Sequence, residues 1–252
     1  MHAWKIDRTT LIIRMLDSVP EDIEAEYWSL LSRRQHREPV AYITGIREFW
    51  SLPFRVDERV LIPRPETEHL IEKVIALFTD RTIAWRFCDI GTGSGCIADS
   101  LATEYPEARI TATDISEDAL DVARYNAINL GVAERIDFRK GDMFAALDPD
   151  AERFDAIISN PPYVARDEME DLEPELSFEP HIALTDGDDG KSFLLLIFNQ
   201  CLRWLKPGGY LIVETGICGL PETPPHLVHI EHYHDLAGIK RGGIYRLREN
   251  TQ

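Results

Sequence analysis

The chain has 252 residues, 44% hydrophobic and 28% charged, the proportions of a soluble globular protein with one main domain and room for an appendage. Its formal net charge of −17 argues against a phosphate-backbone partner, because nucleic-acid binding draws on Lys and Arg. No apolar run approaches the length of a bilayer span, and Asp7 and Arg8 break any signal-peptide layout at the start, so a cytoplasmic protein is expected.

In chain order, residues 7–35 carry helical periodicity. Leu11, Ile12, Met15 and Leu16 form one apolar stripe, Val19-Pro20 interrupts it, and Ile23, Tyr27, Leu30 and Leu31 form a second. Residues 38–65 read as extended and turn-like, with a hairpin over Arg47 to Val56. From Thr67 onward helix and strand alternate. Helices are expected at Glu68–Phe78, Cys96–Glu104, Glu117–Leu130 and Ser192–Leu205. Strands are expected at Arg86–Ile90, Arg109–Thr113, Arg135–Arg139, Ala156–Ser159 and Tyr210–Glu214. This alternation predicts an α/β fold whose mostly parallel sheet is covered by helices on both faces. Two final strands, near Val228–His234 and Ile244–Leu247 with a turn at Gly238–Gly243, add an antiparallel C-terminal edge. The expected organisation is a helical region at 1–37, an extended and hairpin linker at 38–66, and the main domain at 67–252.

The cysteines, Cys88, Cys96, Cys201 and Cys218, are scattered and read as reduced packing residues. His232 and His234 could share a strand face with His229 nearby, but no Cys or carboxylate pattern accompanies them, and no metal is expected. Acid is concentrated between Asp142 and Gly190, where fifteen Asp or Glu face only Arg153 and Arg166. Such a rim is either a solvated loop or a surface that repels nucleic acid and attracts basic protein.

Two motifs carry chemistry. CDIGTGSGCIA, Cys88 to Ala98, is a strand, a glycine turn and a helix, and its spacing is G-x-G-x-G rather than the dinucleotide G-x-G-x-x-G. Asp89 precedes the turn, Asp114 ends the next strand, and Asp142 ends the third. Each acid alone could be a helix cap, but an acid at three successive strand ends suits a nucleoside-bearing ligand. The second motif, ISNPPYV from Ile158 to Val164, could be an ordinary turn. Beside a bound cofactor it gains a reading: the Asn160 side-chain oxygen and the Pro161 carbonyl accept the two N–H bonds of a planar amine. Pro162 then offers no competing N–H, and the Tyr163 ring packs on the plane.

The glycine turn with its three acids resembles the class I S-adenosylmethionine-dependent methyltransferases. That resemblance implies S-adenosyl-L-methionine as cofactor, held by Asp89, Gly91, Thr92, Gly93, Ser94 and Gly95 near its methionine portion. It further implies Asp114 with Ile115 at the ribose, Asp142 with Met143 at the adenine, and Asn160 beside the methyl group. Asn160-Pro161-Pro162-Tyr163 resembles the catalytic motif of amino-methyltransferases, which act on adenine, cytosine or glutamine. EPVAYITGIREFWSLPFRVDERVLIPRPETEHLIE, Glu38 to Glu72, and FEPHIALTDGDDG, Phe178 to Gly190, are similar to segments of the HemK/PrmC family, the release-factor glutamine methyltransferases, with DLAG at Asp235 a weaker echo. This similarity implies N5-methylation of the GGQ glutamine of a peptide chain release factor as protein partner, with no direct nucleic-acid or membrane partner. Rival readings are a ribosomal-protein glutamine methyltransferase, an adenine-N6 methyltransferase and a non-catalytic cofactor-binding protein. The chain departs from the family pattern in a short helical region before EPVAYITG, in having only Cys218 to His226 where a helix is expected, and in Asp99 and Lys191 at apolar positions.

Overall fold

β-Branched and aromatic runs punctuated by glycine fold into a seven-stranded sheet in the computed structural model, which describes residues 1–148, 153–235 and 237–249. Two helices come first, α1 (Arg8–Ile13) and α2 (Glu21–Gln35), followed by α3 (Val40–Thr44) and a hairpin of β1 (Ile46–Phe49) and β2 (Leu52–Arg55). After α4 (Glu68–Leu77) come β3 (Arg86–Ile90), α5 (Cys96–Glu104), β4 (Arg109–Asp114), α6 (Glu117–Asn129), β5 (Ile136–Lys140) and β6 (Phe154–Ser159). A short α7 (His181–Leu184), α8 (Ser192–Gln200), β7 (Leu205–Glu214), β8 (Leu227–His234) and β9 (Lys240–Leu247) complete the chain.

The sheet order is β5-β4-β3-β6-β7-β9-β8, parallel except for β9, which runs antiparallel to both neighbours. The chain winds outward in one direction from β3 and in the other from β6, so β3 and β6 flank the topological switch point where ligands bind. Their register pairs Ile90 with Ser159, which sets the glycine turn beside Asn160.

Strand side chains alternate between two cores. Phe87, Ile110, Ala156, Ile158 and Ile212 face α4 and α5, while Cys88, Ile90, Ile157, Leu211 and Val213 face α8. Phe144 and Trp204 stack with parallel rings 5.9 Å apart at the edge of the second core. A third cluster joins Val56, Val60 and Ile62 of the linker to Ala119 and Val122 of α6 and fastens the linker over the site.

Several expectations need correction. The 38–65 stretch is not wholly extended: Val40–Thr44 is helical and stops at Gly45, which takes the left-handed conformation at φ 73°. The helix expected to reach Leu205 ends at Gln200, a 3-10 turn follows at Cys201–Arg203, and Leu205 already belongs to β7. Gly242 and Gly243 are not turn residues. They lie inside β9, where a Cβ on Gly242 would stand 2.1 Å from the Val213 carbonyl, so the glycines serve close strand approach. Leu236, within the DLAG echo, lies outside the described residues. The apolar stripes of α1 and α2 are left partly uncovered: neither helix has a fully buried residue, Leu11, Ile23, Leu30 and Leu31 are half-buried, and Leu16, just past α1, is 94% exposed. Residues 215–226, between β7 and β8, contain no helix; the sheet there is closed instead by Leu220 and by Phe198, whose ring meets Tyr245 edge-on at 4.7 Å. All four cysteines are free thiols, three of them buried.

Candidate active site

The glycine turn is held open from beneath. Gly91 and Thr92 both donate to the Thr113 carbonyl at 2.9 Å, and Gly93 N–H donates to Asp114 Oδ2 at 2.8 Å. Gly91, Gly93 and Gly95 take φ values of 75°, 54° and 84°, the left-handed region that favours glycine. A Cβ on Gly91 or Gly93 would meet only open space, so both present bare backbone to the cavity. Gly95 differs: its Cβ would lie 3.1 Å from Ala123 Cβ, so it permits α5 and α6 to pack.

Asp89 stands below the turn, fully buried, with Oδ2 accepting from the Thr92 hydroxyl at 2.6 Å and Oδ1 lacking a partner. Burial pushes its carboxyl up to about 7, opposed by the Thr92 hydrogen bond and reinforced by Asp114. Asp114 also rises through burial, while the backbone N–H groups of Ser116 and Gly93 favour its charge. At the end of β5, Met143 adopts φ 50°, an unfavourable value for a side-chain-bearing residue that aims the Asp142-Met143 corner at the cavity.

One cavity of about 860 Å³, part of it open to solvent, gathers Gly91, Gly93, Asp114, Ile115, Asp142, Met143, Asn160 and Pro162. Arg59, Ile182 and Phe193 complete its wall. A second hollow shares Asn160 and is lined by Pro161, Tyr163, Arg64 and Leu176. Asn160 thus stands between two spaces, one on the glycine turn and one under the acidic segment. Asp89, Thr92, Ser94 and Gly95 do not line the cavity; they support the turn from below.

The NPPY segment is fixed on three sides. Asn160 Nδ2 donates to Thr67 Oγ1 at 3.1 Å, an orientation that leaves Oδ1 as the free acceptor. The Tyr163 hydroxyl donates to Glu214 Oε1 at 3.0 Å, and its ring fills the space where a Cβ on Gly216 would stand, 2.6 Å from Cδ2. Gly190 presses on the Tyr163 backbone so closely that a Cβ there would lie 2.4 Å from the carbonyl oxygen. Below the linker, buried Glu179 accepts from Ile62 N–H at 3.0 Å and from Arg64 at 2.7 Å. Asn126 joins the hairpin to the glycine turn, accepting from Arg55 N–H at 2.8 Å and donating to the Arg55 and Ser94 carbonyls.

Thr67, Asn126, Glu179 and Glu214 escaped the sequence reading. Glu214 had a signal, an acid at a fourth strand end; Asn126 had none, being a polar residue in mid-helix whose burial depends on the hairpin.

A parallel sheet of this order, with a glycine turn and acids at its strand ends, defines the class I methyltransferase fold. Residues 83–234 match the family model of a methyltransferase domain and residues 1–45 that of the PrmC N-terminal domain. A release factor glutamine methyltransferase of Koribacter versatilis is 42% identical over 217 residues, covering 86% of this chain and 76% of that protein. One from Cereibacter sphaeroides is 44% identical over 247 residues, covering 95% and 86%. The solved structure of a methyltransferase from Pyrococcus furiosus shares the fold at a TM-score of 0.54 and 17% identity, covering 86% of this chain and 97% of that one. The chain belongs to the release factor glutamine methyltransferase family.

Proposed function

We propose that this protein transfers a methyl group from S-adenosyl-L-methionine to the side-chain amide nitrogen of the GGQ glutamine in a peptide chain release factor. The observation that carries the reading is Asn160, whose free Oδ1 stands at the junction of the two hollows. The larger hollow fits the cofactor: bare backbone at Gly91 and Gly93 admits a close ligand, Asp114 suits a ribose, and Ile115, Met143 and Phe193 supply an apolar wall for a flat base. When bound there, S-adenosyl-L-methionine supplies an electrophilic methyl group on a sulfonium.

An amide nitrogen is a weak nucleophile because its lone pair is delocalised. Asn160 Oδ1 and the Pro161 carbonyl each accept one N–H, which fixes the amide plane and favours positive charge growing on that nitrogen. Tyr163 packs against the plane, and Pro162 adds no donor to compete. No strong base is required, because the N–H becomes acidic only as the new bond forms. Leu61, Leu176 and Leu184 give the second hollow an apolar lining beside Asn160.

The acidic stretch and the exposed apolar residues of α1 and α2 both suit a protein substrate with basic and apolar surface. In this reading residues 1–37 face the substrate, 38–66 form the strap over the site, and 67–252 the catalytic domain. No helix among the described residues is long and apolar enough to cross a membrane, which fits a cytoplasmic enzyme acting on the translation machinery. The test is incubation with S-adenosyl-L-methionine and unmethylated release factor, followed by peptide mass spectrometry. One methyl group on the GGQ glutamine is expected, absent with Asn160→Ala; methylation of ribosomal protein or nucleic acid alone would overturn the reading.

A further inference from the structure

Glu214 ends β7 with its side chain fully enclosed, yet no step above uses it. Its predecessor Val213 pairs with Ser159, so the carboxyl stands beside Asn160. Oε1 accepts from the Tyr163 hydroxyl at 3.0 Å, and Oε2 has no hydrogen-bond partner. Thr67, whose hydroxyl accepts from the Asn160 amide, favours the charged form of the Glu214 carboxyl. Enclosing a half-satisfied acid is costly, so its position calls for a role.

The order of donors supplies one. A hydroxyl whose proton is drawn to a carboxylate offers its lone pair to the next donor. Thr67 Oγ1 is the acceptor for Asn160 Nδ2 at 3.1 Å. We propose that Glu214 is a positioning residue: its carboxylate polarises Thr67 and holds Tyr163, so that the Asn160 amide is locked with Oδ1 toward the acceptor glutamine. The inference rests on the proposed amide methylation for its effect on turnover, and on the geometry alone for its effect on Asn160.

Ionisation of Glu214 then matters. Burial pushes the carboxyl up to about 7, while Thr67, Tyr163 and Arg241 pull it down. The titratable groups that face it are Tyr163, Glu66, Arg241 of β9, Tyr233 of β8 and Cys96 of α5. The two tyrosines and Cys96 are themselves raised by burial and stay neutral near that pH. Protonation removes the negative charge that orders Thr67 and Tyr163, so the lock loosens as pH falls.

The experiment uses the full chain as wild type, Glu214→Gln, Thr67→Ser, Thr67→Ala and the Glu214→Gln/Thr67→Ala pair. With release factor as substrate, Glu214→Gln and Thr67→Ala are each expected to lower kcat about tenfold with cofactor KM within about twofold. Thr67→Ser should restore activity, and the double variant should fall no further than the worse single one. In parallel, the Asn160 side-chain NH2 pair of 15N-asparagine-labelled protein, assigned by its loss in Asn160→Ala, is followed over pH without substrate. A shift with midpoint near 7 in wild type that is absent in Glu214→Gln and in Thr67→Ala supports the role. A pair that ignores pH in wild type, or that titrates unchanged in the folded variants, overturns it. If wild type methylates no release factor, the substrate reading fails while the resonance experiment still decides the role of Glu214.

Discussion

Replacing Asp99 with leucine should flatten the dependence of stability on pH. Asp99 lies in the first turn of α5 with 0% of its surface exposed, and neither carboxyl oxygen has a hydrogen-bond partner. Desolvation, reinforced by the charge of Asp89, holds its pKa well above the ordinary 3.8. The folded state therefore keeps a proton that the unfolded state has released. Stability from this group is fully present below the unfolded value and is lost as pH rises toward the folded one, at about 1.4 kcal/mol per pH unit. The absolute stability of Asp99→Leu mixes relief of a buried acid with the strain of a larger side chain at a fully enclosed position. The slope is free of that mixture. Urea unfolding followed by tryptophan fluorescence, at steps upward from about pH 4.5, should show wild type losing stability faster than the variant, the difference in slope approaching the one-proton limit of about 1.4 kcal/mol per unit while folded Asp99 keeps its proton. Asp89 and Glu214, both raised to about 7, keep a residual downward slope in the variant. Parallel curves for the two proteins would refute the argument.

Asp114→Ala should weaken cofactor binding about tenfold or more by calorimetry, since it removes a carboxylate from the cavity and the acceptor of Gly93 N–H. Asn160→Ala should lower kcat about a hundredfold while cofactor affinity changes only a few-fold, a split read by comparing turnover with binding titration. Gly190→Ala should impair turnover together with folding, because its φ of 78° is strained for alanine and the Cβ would collide with the Tyr163 carbonyl; a variant with wild-type kcat and melting temperature would contradict this. Glu175→Ala, which removes ion pairs to Arg34 and Arg37 on a partly exposed surface, should leave the denaturant midpoint almost where it is in wild type.

The sheet was legible because its strands and helices alternate with clear periods. β3 and α5 fall on the expected residues, since Gly91 to Gly95 marks their boundary without ambiguity. The N-terminal helices were legible as helices but not in their environment: periodicity reports a stripe, not what covers it. β9 begins earlier than its sequence suggests because Gly242 and Gly243 resemble a turn locally and are claimed by close contact with Val213 and Tyr245. At the site, Asp114, Asp142 and Asn160 could be read because strand ends in a parallel sheet converge. The supporting hydrogen bonds could not, because Thr67 meets Asn160 across 93 residues of chain and Tyr163 meets Glu214 across 51.

The stretch from Tyr163 to Gly190 is pinched at its base. Val164 N–H donates to the Leu184 carbonyl and Arg166 N–H to the Asp188 carbonyl, while Asp186 collects the N–H groups of Asp188, Gly190 and Ser192. A closed neck separates what lies above it from what lies below. Lengthening or trimming the excursion between Arg166 and Glu173, short of Leu176 and Glu179, changes closure entropy only logarithmically and leaves the neck in place. The acidic surface can therefore drift over evolutionary time to match a changing partner while NPPY stays put, and the same neck marks where a graft from a related chain could be spliced.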